Sequence, residues 1–197
     1  PGFVGAAPIQ NIGAYGVEIK DIFVSCSGYF LNTLEKKKFE LNDCQFSYRS
    51  SIFKKSLRNK FIITEVVLQL SKTNHKITKS YKSINDALNN KKIHNPTIKD
   101  IARIVSKIRE NKLPNPSLIG NSGSFFKNPI VSIELLNKLK QKFSKLVYFK
   151  ESVSKYKLSA AWLIENCNFK NIEEKNVGVY KNQALVIVNL GNATGKE

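Results

Sequence analysis

The sequence predicts an α+β fold, and three observations carry the prediction. Phe61 to Leu70 reads FIITEVVLQL, β-branched and apolar enough for a central strand. Thr97 to Lys112 places apolar residues at helical spacing, opened by Pro96 and Thr97 and stopped by Pro114 and Pro116. Strand and helix patterns follow one another without the regular alternation of βαβ units, which argues against a doubly wound parallel sheet.

Taken in order, residues Pro1 to Gly16 (PGFVGAAPIQNIGAYG) hold four glycines and two prolines and match neither helix nor strand. Such a string lets main-chain N–H groups meet a ligand at close range. It lacks GxGxxG at a strand-to-helix turn, and no GK[ST] follows, so dinucleotide and P-loop fingerprints are excluded. A Gly/Pro-rich linker is the competing reading, although Val4, Ile9, Ile12 and Tyr15 are unusual in one. Val17 to Val24 (VEIKDIFV) alternates as a half-buried strand, punctuated by Ser27-Gly28, and Lys36 to Leu41 reads as a shorter strand.

Ser71 to Lys82 is polar and basic, with Tyr81 alone among Lys and Ser, as either a loop aromatic that closes over a ligand or a packed anchor. In the helix from Thr97, Asp100 occupies N3, and Ile98, Ile101, Ala102, Val105 and Ile108 form the expected buried face. Lys112 falls in the last turn, where the helix dipole favours a cation. Gly120 to Pro129 (GNSGSFFKNP) reads as a surface loop around a buried Phe pair. Ser132 caps a helix to about Phe143, with Leu136, Leu139 and Phe143 inward. LSAAWLIENC makes a short helix whose Leu158, Ala161, Trp162 and Ile164 face the core. Val177 to Tyr180 and Ala184 to Leu190 complete the set as strands, and no internal repeat is found.

With 197 residues, 42% of them hydrophobic, the chain can bury a core and hold one or two domains. No apolar run suits a membrane span and no signal peptide opens the sequence, so a cytoplasmic protein without a membrane partner, expected to be a monomer, is predicted. Cys26, Cys44 and Cys167 form an odd set without CxxC spacing, and His75 and His94 are not near them. Free thiols and no metal site are expected. The net charge of +17 invites a nucleic-acid partner. Against that, the basic residues are 28 Lys and only four Arg, scattered among 21 Asn and 20 Ile. Base recognition favours the Arg fork, so the excess is read as compositional bias and no nucleic-acid partner is expected.

Two segments concentrate chemistry. GNSGSFFKNP supplies the Ser124 hydroxyl, the Asn128 amide and a lysine between glycines that permit close backbone approach. CQFSYRSSIFK sets Tyr48, Arg49 and three serines among apolar anchors. As one of four arginines in a lysine-biased chain, Arg49 suits a task lysine cannot do, such as gripping a carboxylate through two N–H groups; a surface salt bridge is the alternative.

Taken together, PGFVGAAPIQNIGAYG, CQFSYRSSIFK, NKLPNP followed by GNSGSFFKNP, KLSAAWLIENC and NQALVIVN resemble the bacterial UDP-N-acetylenolpyruvoylglucosamine reductase family, in order and along nearly the whole chain. The resemblance implies the C-terminal part of a vanillyl-alcohol-oxidase-type FAD-binding domain over residues 1–113, with a substrate-closing loop near 71–95. Residues 114–197 would be most of an α+β substrate-binding domain. It further implies an NADPH-driven oxidoreductase of peptidoglycan precursor synthesis that converts UDP-N-acetylglucosamine enolpyruvate to UDP-N-acetylmuramate. In that chemistry NADPH reduces the FAD, hydride passes from flavin N5 to the enolpyruvyl C3, and a serine protonates C2.

Carried over by motif, Ser124 would be the proton donor and Arg49 the carboxylate and enolate stabiliser. Tyr48, Tyr81, Lys112, Asn128, Lys157 and Gln183 would bind substrate, with Lys112 and Tyr81 near the diphosphate and uridine. Gly5, Ala6, Ala7, Ile9, Gln10, Gly13 and Ala14 would lie along the FAD. Ser122 departs from the small Ala common at its position. The chain starts at Pro1 and contains no Met, and Thr194-Gly195-Lys196-Glu197 has the form of a helix-opening capping box. Incompleteness at both ends is therefore expected, with part of the FAD domain and a catalytic glutamate missing. The alternative to the reductase reading is a non-catalytic remnant that at most binds nucleotide-sugar.

Overall fold

The computed structural model describes residues 2–75, 77 and 81–197. The chain divides into two compact units, Pro1–Ile104 and Val105–Glu197, with the division inside one helix. Helices and antiparallel sheets mix in both, as an α+β chain requires.

The first unit opens with a 3-10 helix at Val4–Gln10, where the sequence suggested neither helix nor strand. A two-residue hairpin follows, β1 (Gly13–Ala14) against β2 (Val17–Glu18). Its loop, Tyr15-Gly16, has φ of 53° and 84°, and a loop with both residues left-handed matches the right-handed twist of the strands it joins. The single strand expected over 17–24 is broken by a 3-10 turn at Ile19–Asp21. β3 (Phe23–Phe30) then runs straight through Ser27-Gly28, where a stop was expected. It is the middle strand of a sheet with β4 (Lys36–Glu40) and β5 (Phe61–Leu68), ordered β4-β3-β5 and antiparallel throughout.

Phe23, Phe39, Phe53 and Phe61 are buried under this sheet with Cys26, Cys44 and Ile52. The rings of Phe39 and Phe53 meet edge-on at 5.4 Å, and those of Phe39 and Phe61 at 5.1 Å. Each buried phenylalanine contributes about 1.5–3 kcal/mol of transfer free energy. Cys26 and Cys44 are fully buried free thiols, while Cys167 is exposed. The hydrogen bond to Cys26, together with burial, pushes the Cys44 thiol well above its ordinary range.

Helix α1 (Lys82–Asn90), which periodicity did not signal, buries Ile84 and Leu88. Helix α2 (Ile98–Lys112) is entered as expected: Thr97 N–H and Oγ1 both donate to the Asp100 carboxylate, which holds its pKa below the usual value. Its buried face centres on Ile104, flanked by half-buried Ile101, Val105 and Ile108. Ile98 and Ala102, expected inside, are exposed.

In the second unit, β6 (Asn121–Ser124) is a strand where a loop was expected. β7 (Ile130–Ser132) leads to α3 (Ile133–Lys142), capped by Ser132 Oγ accepting from Leu135 N–H, with Leu136 inward. Phe143 stays 39% exposed, against expectation, and meets Trp162 edge-on. β8 (Tyr148–Lys150) and β9 (Lys155–Leu158) join β7 in the order β7-β9-β8. α4 (Ala160–Asn166) follows, capped by Ser159. β10 (Glu173–Glu174), β11 (Val177–Val179) and β12 (Val186–Asn189) then form the sheet β10-β11-β12-β6. Leu136, Leu146 and Leu158 make one core cluster, and Ala184, Val186 and Val188 are buried along β12. Thr194 N–H donates to the Glu197 carboxylate, the first bond of the capping box. Among the described residues no helix is long and apolar enough to cross a membrane.

Gly28 sits where β3 and β5 shift register, and a Cβ there would lie 1.9 Å from the Ile62 carbonyl oxygen. Backbone cannot yield as a side-chain tip can. Gly28→Ala is expected to destabilise the protein by about 1–3 kcal/mol or more, read as a lower urea midpoint at unchanged slope.

Candidate functional site

In the first unit the candidate residues gather around Asn11. Its φ of 45° ends the Val4–Gln10 helix, and the side chain is fully buried. Asn11 Nδ2 donates to Glu18 Oε2 at 2.7 Å and to the Ser47 carbonyl at 3.2 Å, while Oδ1 accepts from Lys20 N–H at 3.1 Å. One amide thus ties the hairpin, the 3-10 turn behind it and the 47–50 segment together.

Tyr48 and Arg49 are the two central residues of a turn closed by Ser47 and Ser50, whose N–H groups each donate to the other's carbonyl at 3.0 Å. Arg49 has φ of 52°, a left-handed conformation that costs a non-glycine residue about 1–2 kcal/mol. Its guanidinium is locked: Nη1 donates to Glu18 Oε1 at 3.3 Å and to the Asn11 carbonyl at 3.5 Å, and Nη2 donates to the Gly13 carbonyl. The Tyr48 ring lies 5.0 Å from the guanidinium carbon. The salt bridge anticipated as the alternative for Arg49 is therefore present, with Glu18, and both side chains are about three-quarters buried.

The small residues Gly5, Ala6 and Ala7 lie on the Val4–Gln10 helix, with Ala6 and Gln10 exposed. Gln10 Oε1 accepts from Lys54 Nζ at 3.4 Å. Ile9 packs against the core, and its carbonyl accepts from Ser51 Oγ at 2.7 Å. Gly13 is required by the hairpin itself, because a Cβ would lie 2.4 Å from the Val17 carbonyl oxygen. Ala14, beside it, is exposed. Phe3, Val4, Ile12 and Val17 are exposed around these residues. Small side chains bordered by bare apolar ones fit a flat, largely apolar ring system, so this stretch meets the demand a flavin would make on it. Tyr81 stands at the start of α1 with its ring 5.5 Å from that of Tyr15, edge-on. Part of the expected closing loop, residues 76 and 78–80, lies outside the described residues.

In the second unit Ser124 ends β6, exposed, opposite Val186 of β12. Gly123, with φ of 63°, turns the backbone just before it. Phe125 and Phe126, expected to be buried, are more than half exposed and border an apolar groove of about 340 Å³ with Leu163, Ile164 and Leu185. Gln183 is buried in the turn before β12, and its Oε1 accepts from the N–H of Leu185, the residue whose carbonyl receives Phe125 N–H. Asn182 Nδ2 donates to the Asn111 carbonyl, which brings the end of α2, and with it Lys112, to the same edge. Ser124, Gln183 and Lys112 are thus drawn to one end of β12.

Lys157 lies on β9 of the other sheet, and Asn128 just before β7. Asn128 Oδ1 accepts from Ala160 N–H at 3.0 Å, holding the start of α4, and Lys157 Nζ pairs with Glu151 Oε2 at 2.5 Å. Arg49 lies in the first unit and Ser124 in the second. Among the described residues no three His, Cys, Asp or Glu side chains gather as metal ligands.

Asn11, Glu18 and Ser51 escaped the sequence reading. The signals they offered were slight: an asparagine ending a Gly/Pro-rich run, an acid in a strand pattern, and one of three neighbouring serines.

Helices and antiparallel sheets in two compact units make this an α+β protein, and comparison with known proteins shows what it is similar to. Residues 115–197 match the family model described as UDP-N-acetylenolpyruvoylglucosamine reductase, C-terminal domain. The reductase of that name from Flavobacterium johnsoniae is 49% identical over 197 residues, all of this chain and 58% of the relative. The one from Amoebophilus asiaticus is 47% identical over 196 residues, again 58% of its length. The crystal structure of UDP-N-acetylenolpyruvylglucosamine reductase (MurB) from Thermus caldophilus aligns with a TM-score of 0.59 at 19% identity, covering 98% of this chain and 52% of that one, a likeness of fold. Along its whole length the chain is similar to reductases of that name, and residues 115–197 carry that family's C-terminal domain. It spans a little under three-fifths of the length of the relatives it matches.

Ser51 fastens two parts of the first site at once. Fully buried, it donates to the Ile9 carbonyl and accepts from Phe53 N–H at 3.1 Å. Ser51→Ala would leave a buried carbonyl unpaired, and the expected loss is about 1–3 kcal/mol. Hydrogen exchange should meanwhile quicken at the amides of residues 6–12 more than across β3; uniform quickening would deny Ser51 this local role.

Proposed function

We propose that the full-length protein reduces UDP-N-acetylglucosamine enolpyruvate to UDP-N-acetylmuramate, with FAD as bound cofactor and NADPH as reductant. The observation that carries this reading is 49% identity with a named reductase along the whole chain, through both the Arg49 turn and the Ser124 strand. The alternative of a non-catalytic remnant finds no support in relatives that share 41–49% of their residues with this chain and carry the reductase name.

In this reading Gly5, Ala6, Ala7, Ile9, Gln10, Gly13 and Ala14 lie along the FAD, in a domain of the vanillyl-alcohol-oxidase type. When bound, the flavin supplies the hydride that reaches the enolpyruvyl C3. Arg49 holds the substrate carboxylate and stabilises the negative charge that develops on C2 and that carboxylate. Ser124 then donates its hydroxyl proton to C2. A residue that ends a strand and faces solvent suits the donor's role, because the hydroxyl is accessible while its backbone is fixed by pairing. Lys112, with Tyr81, attends the diphosphate and uridine; Tyr48, Asn128, Lys157 and Gln183 bind the rest. Residues 1–113 complete the FAD domain and 114–197 form most of the substrate domain. The setting is cytoplasmic peptidoglycan precursor synthesis, in a monomer.

Loss of a positioned general acid slows a reaction by roughly 10²- to 10⁴-fold. In the full-length, FAD-loaded protein, Ser124→Ala is therefore expected to bleach with NADPH at the normal rate, yet to be reoxidised by the enolpyruvyl substrate slower by that factor. Normal reoxidation in stopped flow removes Ser124 from the role.

A further inference from the structure

We infer that Glu18, held by Asn11, is the positioning residue for Arg49: it fixes the guanidinium so that one edge of the fork is presented to the carboxylate of the substrate. The inference rests on the reading of Arg49 as carboxylate ligand and adds two residues to it. Glu18 and Arg49 stand 31 positions apart in the chain and meet at 3.3 Å, each with a side chain about three-quarters buried. The same carboxylate accepts from Asn11 Nδ2 at 2.7 Å and pairs with Lys20 Nζ at 3.1 Å. Asn11 is fully buried with its amide engaged at both ends, so Glu18 has one place to stand.

The consequence for Arg49 follows from counting its donors. A guanidinium has five N–H bonds in a rigid plane. Two on Nη1 and one on Nη2 go to Glu18, the Asn11 carbonyl and the Gly13 carbonyl. Among the described residues, Nε–H and the second Nη2–H have no hydrogen-bond partner. Nε and Nη2 are neighbours on the fork, and that edge is the one an incoming carboxylate would meet. Glu18 occupies the opposite side, and one flat face is covered by Tyr48. An incoming carboxylate therefore meets a cation that is already oriented and partly neutralised, and it need not organise the side chain itself.

Glu18→Gln tests this. The glutamine amide must turn its NH₂ toward either Asn11 Nδ2 or Arg49 Nη1, donor against donor, so the lock opens while shape is kept. In the full-length, FAD-loaded protein, kcat/KM for the enolpyruvyl substrate is expected to fall roughly 10- to 100-fold. Reduction of the flavin by NADPH should be unchanged, and so should the affinity for UDP-N-acetylglucosamine, which carries no carboxylate. Glu18→Asp, which keeps the charge but withdraws it by one methylene, should show the same split if Gln proves unstable. Wild-type turnover in these variants, or equal loss of affinity for the ligands with and without a carboxylate, overturns the inference. Arg49→Lys run alongside separates the two levels: normal turnover there ends the Arg49 reading itself, whereas a loss there beside intact Glu18 variants ends only the positioning role.

Discussion

A single buried amide governs the first unit. Asn11 is fully buried, and every polar atom of its side chain is engaged, with Glu18, the Ser47 carbonyl and the Lys20 N–H. Three stretches, the 4–10 helix, the hairpin and the 47–50 turn, meet at that group, and the Arg49 guanidinium ties the turn to the hairpin a second time. A buried polar group left unsatisfied costs about 1–3 kcal/mol, so the partners stand or fall together, and the network behaves as a unit rather than as separate bonds. The aromatic core beneath supplies the burial that keeps the amide dry, with Ser51 linking the two layers through the Ile9 carbonyl.

The second unit relies on the same chemistry in a different form. Asn128 holds the start of α4, Asn182 ties the turn before β12 to the end of α2, and Gln183 braces the beginning of β12. Side-chain amides do here what longer strands or larger apolar contacts do elsewhere. The composition makes sense in this light. Of the residues with left-handed backbone, Asn11, Asn59, Asn74, Asn168 and Asn171 are asparagines, the non-glycine type that adopts that region most readily. An excess of asparagine that reads as background bias in the sequence is put to structural use at tight turns.

What could be read in advance follows from element length. β5 and α2 are long, α3 and α4 are capped by Ser132 and Ser159, and β11 and β12, though short, are rich in β-branched residues, so their signals survive in the sequence. The β1–β2 hairpin was illegible because two-residue strands carry no periodicity and Tyr15 is an unusual residue for a left-handed loop position. α1 was hidden by its Lys and Asn content, which suits a loop equally well. Gly28 looked like a stop and proved to be a point of close approach between strands, a distinction only the partner strand reveals. At the site, residue type singled out Arg49, Tyr48 and Ser124, but the groups that orient Arg49 lie 31 and 38 positions away, beyond any local pattern.

The backbone at position 49 sharpens the choice of residue. A glycine would relieve the left-handed strain of that turn, and a lysine would reach Glu18 with its charge. Neither could satisfy the Glu18 carboxylate and the carbonyls of Asn11 and Gly13 from one rigid plane, as the guanidinium does. Strain of this kind persists where surrounding bonds over-determine the conformation, and here three acceptors from the hairpin region do so. The turn therefore presents a cation whose direction is set before any ligand arrives. That is a property of the folded chain, built from residues that in sequence are a Gly-rich run, a strand edge and a serine-flanked turn.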